Sequence, residues 1–574
     1  MLKLLESRLK KFMVGGLVLL TLALIGFGVY HQTSINKLMA EPEKSIAVLP
    51  FFDEESSLVN DSLNLNLTDN LITDLSKISS FIVIDSVSSR QFDVKKLSIK
   101  TISNKLRAKY LVVGNTIGKG DTRKVNLKMF DGEKEEMLWT EDFEIGYDMF
   151  SVLELNRQII LQISDLLGVK LSVSELENLN SNPTENTDAY RAYLTGRNKF
   201  QKYEASANQE AINQFRKALK LSPKFKEAYQ GLADAYVQNH YYSQGDFFWL
   251  DSSIFYSNLA LQLDNTYSDA HLSLGSASYY KVEYSKAIDY FKKAISFNGN
   301  NYRALANMGS TLMVLGKVDS SLFYLDQSAK LNPQSFISFQ AVGWNYRLLK
   351  DYQNAVCWLE ESIKLKPSIG AYEQLAYSYI GLNDIQTAKE IAGKILNLKE
   401  EEKSKREIAG MIYFFCRDFE SAYYNFDLAY LSDQALINCG TNRMVIYLGY
   451  LESIVKENKF KSEILVDGCR VYLESKIKQG SQDVDNFFDE AVYYAIKGDI
   501  KNCLKSLESA KQHYWVDVIF VSQNPVFDVF KDHPEFVKFI YNQNQTIDSK
   551  QRNAKKINRQ NLESGVSSLS ICYK

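Results

Sequence analysis

The spacing of apolar positions changes three times along the chain. From Phe12 to Tyr30 the sequence FMVGGLVLLTLALIGFGVY carries no charge, about the length that crosses a bilayer core as a helix. It predicts a transmembrane helix; a cleaved signal peptide and a buried core helix are the alternatives. Lys3, Arg8, Lys10 and Lys11 precede it against a single Glu6. The positive-inside rule then places residues 1–11 in the cytoplasm and the bulk of the chain beyond the inner membrane of a bacterium, in the periplasm.

From about 44 to 172 the pattern alternates between short β-branched runs and amphipathic stretches. Ser45 to Phe52, Phe81 to Asp85 and Tyr110 to Ile117 read as strands. Leu63, Leu67, Leu71, Leu75 and Ile78 recur at spacings of three and four, so they form the apolar stripe of a helix. A second helix is expected over 99–106. After the Gly118-Lys-Gly-Asp-Thr turn, Val125, Leu127 and Met129 alternate with polar residues as in a half-buried hairpin strand. A strand over 137–144 and a helix over 148–167 complete a small α/β domain with mixed pairing. Gly114 to Gly120 faintly suggests a phosphate loop, but its spacing is one short and no helix follows, so it reads as the hairpin turn.

Beyond 187 the spacing becomes helical with a longer repeat superimposed. Gly275, Gly309 and Gly343 stand 34 apart, as do Ala287, Ser321 and Ala355. Ala294, Ser328 and Ser362 mark a second small position, and Phe291, Leu325 and Leu359 a large one. Small residues at this period allow paired helices to cross closely while large ones fill between repeats. Pro333 and Pro367 follow the second helices, where proline stops them. The pattern weakens towards both ends of 187–540, and 435–485 is helical but off register. Asn524-Pro-Val-Phe-Asp-Val-Phe530 and Asp532-His-Pro-Glu-Phe536 read as a cap. Residues 541–574, with Lys550, Arg552, Lys555, Lys556 and Arg559, read as a flexible basic tail.

Two resemblances rest on these residues. The stretch from 268 to 367 resembles the tetratricopeptide repeat. Ser45-Ile-Ala-Val-Leu-Pro-Phe, Leu67-Thr-Asp-Asn-Leu-Ile-Thr-Asp-Leu-Ser76, Val113-Gly-Asn-Thr, Leu138-Trp-Thr-Glu and Asp148-Met-Phe resemble the TolB-like amino-terminal domain. The second resemblance implies a module lying between a membrane helix and such repeats, in proteins that also carry adenylate cyclase, kinase or winged-helix regulator domains. With about eleven residues ahead of Phe12, any such output is expected to be missing or supplied by another protein. The fold class expected is therefore α+β: a transmembrane helix, a small α/β domain and an all-α repeat superhelix.

Composition narrows the function. Lys and Arg number 67 against 69 Asp and Glu, so no strong field draws the chain to nucleic acid. Cys357, Cys416, Cys439, Cys469, Cys503 and Cys572 include no CxxC pair, and His31, His240, His271, His513 and His533 are scattered. No metal site, cofactor site or catalytic constellation is read, and the chain is expected not to be an enzyme. The expectation is a membrane-anchored interaction or sensing scaffold that takes a protein or peptide in the repeat groove. The alternative is a regulatory component of an adenylate cyclase, kinase or transcription-regulator system. In the repeat family the first helix of each pair lines the concave face, which selects Tyr279, Tyr280, Arg303, Met313, Trp344, Arg347 and Tyr377. Aromatics and arginines carry much of interface energy, though each of these could instead pack between helices. Homo-oligomerisation stays open.

Overall fold

A computed structural model describes residues 44–53, 62–118, 122–146, 149–243, 245–432, 443–481 and 483–563. Strands β1 (Ser45–Val48), β2 (Phe52–Asp53), β3 (Ile82–Val83), β4 (Tyr110–Ile117), β5 (Thr122–Asp131) and β6 (Glu136–Gly146) form one sheet in the order β3-β1-β4-β5-β6, with β2 also pairing with β4. The β3-β1-β4 pairings are parallel and β4-β5-β6 antiparallel. This mixed sheet follows from the connections: helices intervene between the first three strands and tight turns between the last three. Helix α1 (Ser62–Leu75) lays Leu67, Leu71 and Leu75 against one face together with α4 (Met149–Leu166). Short α2 (Ser86–Ser89) and α3 (Ile99–Leu106) cover the other face through Phe92, Ile102 and Leu106. Helix α5 (Val173–Asn180) leads out of the domain.

Nine helix pairs follow among the described residues: α6 and α7 (Thr187–Phe200, Ala205–Leu221), α8 and α9 (Lys226–Tyr242, Phe247–Leu263), α10 and α11 (Ser268–Tyr280, Tyr284–Phe297), α12 and α13 (Tyr302–Val314, Val318–Leu331), α14 and α15 (Phe336–Leu348, Tyr352–Leu365), α16 and α17 (Ile369–Gly381, Ile385–Leu396), α18 and α19 (Glu402–Phe415, Phe419–Leu431), α20 and α21 (Arg443–Ile454, Lys459–Lys478), and α22 and α23 (Val484–Ile496, Ile500–Gln512). First helices of neighbouring pairs touch one another more than second helices do. The array therefore curls with its first helices inside, as a tetratricopeptide-like superhelix.

The 34-residue period is a contact. A β-carbon on Gly275 would lie 2.5 Å from the Phe291 ring; on Gly309 it would meet Leu325 at 2.7 Å, and on Gly343 Leu359 at 2.6 Å. The small position of each first helix thus receives the large position of its partner. Ser321 adds a polar version, its Oγ donating to the Gly309 carbonyl at 2.7 Å. The turns repeat as well: Val282, Gly316 and Lys350 all sit at positive φ between first and second helix. Replacing Gly275 by alanine improves helix propensity by about 1 kcal/mol, but the fully buried Phe291 ring must move. We expect a net loss of roughly 1–2 kcal/mol from overpacking, read as a lower midpoint in thermal unfolding.

Several expectations are corrected. Residues 12–30 lie outside the described residues, and among the described residues no helix is long and apolar enough to cross a membrane. The described helices interleave charged positions with their apolar ones, which suits packing on one face. The architecture with a transmembrane helix, and the single-pass inner-membrane placement drawn from it, give way to a mostly helical superhelix with a small sheet domain. The stretch from His240 to Trp249 is mostly helix, because α8 runs to Tyr242 and α9 begins at Phe247. The basic tail is helical from Pro534 to Glu563 as α25. Ile547 and Ala554 are buried on it, and Lys550 donates to the Gly316 carbonyl at 2.6 Å, so its apolar stripe packs against the array.

Candidate functional site

The α/β domain is docked on the superhelix through backbone groups that a sheet edge leaves open. Strand β3 is an edge strand, and such edges invite pairing with other chains. Here the links between repeats cover it. Asn300, between α11 and α12, donates through Nδ2 to the carbonyls of Ser76 and Phe81 at 3.0 and 2.9 Å, and its Oδ1 accepts from the Val83 amide at 3.1 Å. One link further on, the Leu331 carbonyl accepts from the Asp85 amide at 3.0 Å. Ser88 Oγ donates to Asn332 Oδ1 at 2.7 Å, and Gln334 Nε2 donates to the Lys105 carbonyl at 2.9 Å. On α1, Asn70 donates to the Tyr190 hydroxyl at 2.8 Å.

The inner face of the middle repeats is covered by the chain's own C-terminal part. Arg347, at the end of α14, is paired through both terminal nitrogens with Asp517 at 3.0 and 2.6 Å, and its Nε donates to Gln374 Oε1 at 2.7 Å. Its guanidinium lies 5.5 Å from the centre of the Tyr377 ring. Phe520, on α24 (Ile519–Ser522), packs 4.9 Å from Tyr377 and 5.1 Å from Phe415, so it touches the inner helices of two successive repeats. Burial raises the Tyr377 hydroxyl well above its usual pKa, with Glu373 adding to the effect. A short helical turn, Pro525–Phe530, then inserts Phe527 beside Phe488 before α25 begins.

The residues selected from sequence separate into different settings. Arg347 and Tyr377 are brought together but buried, 3% and 1% exposed. Arg303 on α12 reaches back to Asp234 on α8, with Nη1 donating to Oδ2 at 2.8 Å. Tyr279 packs against Tyr284, and Met313 is partly buried against the central core. Tyr280 and Trp344 remain the most open, at 41% and 37%. Tyr280 also joins an aromatic patch that the repeat pattern had not singled out: the His240 ring lies 5.4 Å from Tyr280 and 5.8 Å from Phe247. The sequence signal for it was the apolar start of α9, Phe247-Phe-Trp249, on a helix that carries exposed aromatics.

A third feature is a cavity of about 520 Å3, partly open to solvent, where the α/β domain meets the second to fourth repeats. Its walls include Lys77 and Asp85 from the domain and Glu227, Tyr267, Asp269 and Arg303 from the superhelix. Asp85 caps α2, one carboxylate oxygen accepting from the amides of Val87 and Ser88 at 2.7 and 3.2 Å. Burial pushes its carboxyl up to about 6, against the pull of those bonds. No cluster of three or more His, Cys, Asp or Glu among the described residues could hold a metal ion. The buried thiols of Cys416 and Cys503 are pushed up to about 12 by desolvation, which keeps them protonated and inert.

Comparisons with known proteins match the α/β domain to a family model other than the one its motifs suggested. Residues 42–163 match the family model described as the HilA/YgeH-like transcriptional regulator, second domain; a TolB-like domain is not what this match reports. The chain is 29% identical over 198 residues to putative adenylate cyclase 3 of Rhizobium meliloti, covering 34% of this chain and 33% of that protein. It is 31% identical over 80 residues to anaphase-promoting complex subunit 3 of Schizosaccharomyces pombe, covering 14% and 12% of the two. The chain thus matches a third or less of the length of these curated relatives. Among solved structures, a human IFIT1 dimer with PPP-AAAA overlaps 63% of this chain and 79% of its own, at 14% identity and a TM-score of 0.35. PilW, a type IV pilus biogenesis factor, overlaps 37% and 94% at 16% identity and a TM-score of 0.32. The chain is similar in sequence to part of a putative adenylate cyclase, and over residues 42–163 to the second domain of a transcriptional regulator family.

Proposed function

We propose that the chain is a protein-interaction scaffold of a signalling system, a binding protein in which the superhelix engages a protein or peptide partner and the docked α/β domain senses that engagement. The observation that supports this most is the self-covered inner face. Arg347, Tyr377 and Phe415 accept an acidic side chain and an aromatic from the same polypeptide, which is the chemistry by which such surfaces hold peptides. The sequence-selected residues then divide by role. Tyr280 and Trp344 offer open aromatic surface, with His240 and Phe247 extending the first. Tyr279, Arg303 and Met313 support the inner wall, and Arg347 and Tyr377 engage a partner only if residues 517–520 leave. The similarity to parts of a putative cyclase and a regulator domain favours the regulatory setting, with the catalytic or DNA-binding output on another segment or another protein.

Cross-linking capture tests the reading, comparing wild type with Tyr280→Ala plus Phe247→Ala and, separately, Trp344→Ala. The expected result is a nucleotide cyclase, kinase or transcription regulator captured by wild type and depleted about tenfold by one of the variants. Capture of the same set by all three folded proteins overturns the surface assignment, and capture of the chain alone points to self-association.

A further inference from the structure

The two edges of the α/β sheet are treated differently. Strand β3 is two residues long and is closed by the repeat links at Asn300 and Leu331. Strand β6, at the other edge, runs for 11 residues and pairs with β5 from Trp139 to Gly146 without a break. The irregularity in that pairing lies beside the turn, between Met129 and Phe130 of β5. Among the described residues, the backbone of β6 bonds to β5 and to nothing else. On an antiparallel edge strand, alternate residues point both amide and carbonyl outward. The outward row of β6 is therefore a template for a further strand, and a long open edge invites such pairing.

The side chains of β6 define what that strand would be. Trp139, Glu141 and Phe143 stand opposite Met129, Leu127 and Val125, on the face that packs against α1 and α4. The Trp139 and Phe143 rings lie 6.4 Å apart and are half-buried at the rim of that core. Thr140, Asp142 and Glu144 stand opposite Lys128, Asn126 and Lys124 on the other face, and all three are exposed. The strand carries four acidic residues, Glu136, Glu141, Asp142 and Glu144, and no basic one. Among the described residues only Asp142 of these is in an ion pair, with Lys124 at 2.6 Å, and Glu144 acts on the same lysine. The edge is left with a negative surplus. A second copy offering the same strand would bring acidic residues of both chains onto one face within cross-strand reach, which destabilises pairing. A basic strand meets the opposite situation.

We propose that β6 is a docking edge for an extended basic peptide, which adds an outer strand to the sheet through main-chain hydrogen bonds. Side chains alternate between the two faces along a strand. The peptide that fits therefore alternates Lys or Arg, set beside Asp142 and Glu144, with apolar residues set beside Trp139 and Phe143. Main-chain bonds supply affinity and the two rows of side chains supply selectivity. Added salt weakens the charged row, because those carboxylates are exposed. The edge shares no residue with the aromatic surface at Tyr280 and Trp344, so either reading can fail alone.

Calorimetry and amide exchange on the full chain provide the test. The probes are a capped octapeptide of alternating valine and lysine, its block isomer with the valines and lysines separated, and an alternating valine–glutamate peptide. The alternating basic peptide should bind and slow exchange over 136–146, the block isomer should bind about tenfold more weakly or less, and the acidic peptide should not bind. Methylating the backbone nitrogens of one series, valine or lysine, should abolish binding, since only one series faces β6. Asp142→Asn plus Glu144→Gln should weaken binding about tenfold. Glu144→Lys, which leaves the Lys124–Asp142 pair in place, should weaken it at least as far and decides the matter if the double variant does not fold. Absence of binding, equal binding of the block isomer, binding that survives methylation of both series or is undiminished in the folded variants, or protection outside β6 overturns the proposal. So does slow exchange of the outward β6 amides in the protein alone, which would show the edge already taken by this chain or a second copy.

Discussion

Replacing Asp517 by alanine is expected to cost about 3–5 kcal/mol, the penalty for leaving one partner of a buried ion pair behind. The Arg347 side chain is 2% exposed, so its guanidinium cannot recover water when the carboxylate is removed. Its remaining partners, Gln374 and the Tyr377 ring, are neutral and replace little of the charge interaction. Converting both residues together, Arg347→Met with Asp517→Leu, should recover most of the loss, because the pair's own desolvation cost disappears with it. Urea unfolding of wild type, Arg347→Met, Asp517→Leu and the double variant forms a double-mutant cycle, and a coupling energy near zero would refute the account. The pair also connects repeats far apart in a stack whose stability otherwise depends on neighbours. The single variant should therefore unfold in two steps where wild type unfolds in one.

The second large effect is expected at Asn300. Its amide makes three hydrogen bonds to the α1–β3 segment, and alanine leaves the carbonyls of Ser76 and Phe81 and the amide of Val83 without their partner. A loss of about 2–3 kcal/mol follows, on the scale of unmet polar groups that water only partly reaches. The loss should be local. Amide exchange at Val83 should accelerate strongly while amides in α14 to α18 keep their protection, because the link carrying Asn300 belongs to no helix and the middle repeats pack without it. Unchanged exchange at Val83 would show that the sheet edge is held by the Leu331 link alone. This variant also uncovers an edge strand, so increased self-association at high concentration is an accompanying result.

These two sites were the least visible in the sequence, and for the same reason. The period of 34 reports contacts within a helix pair and between neighbours: Gly275 on Phe291, Gly309 on Leu325, Gly343 on Leu359. Asn300 and Asn332 sit in the links, where the repeat requires only a turn and where asparagine reads as ordinary turn chemistry. Arg347 and Tyr377 occupy inner-helix positions and were read as open groove or helix packing. Nothing near them in sequence announces Asp517 and Phe520, 170 and 143 positions away. The basic tail misled in another way. Its charges dominate the composition, while Ile540, Ile547 and Ala554 supply a sparse apolar stripe whose value depends on a surface to receive it.

By itself the sequence determined the 34-residue period of the helix pairs over 268–367 and the alternation of strands and helices along the α/β domain, because each depends on side chains a few positions apart along one element or its neighbour. Only the tertiary structure decided that the domain's edge strand is closed by repeat links and that the C-terminal segment covers the inner face. Those outcomes depend on which surfaces the curl of the array brings together, and long-range juxtaposition leaves no period in the chain.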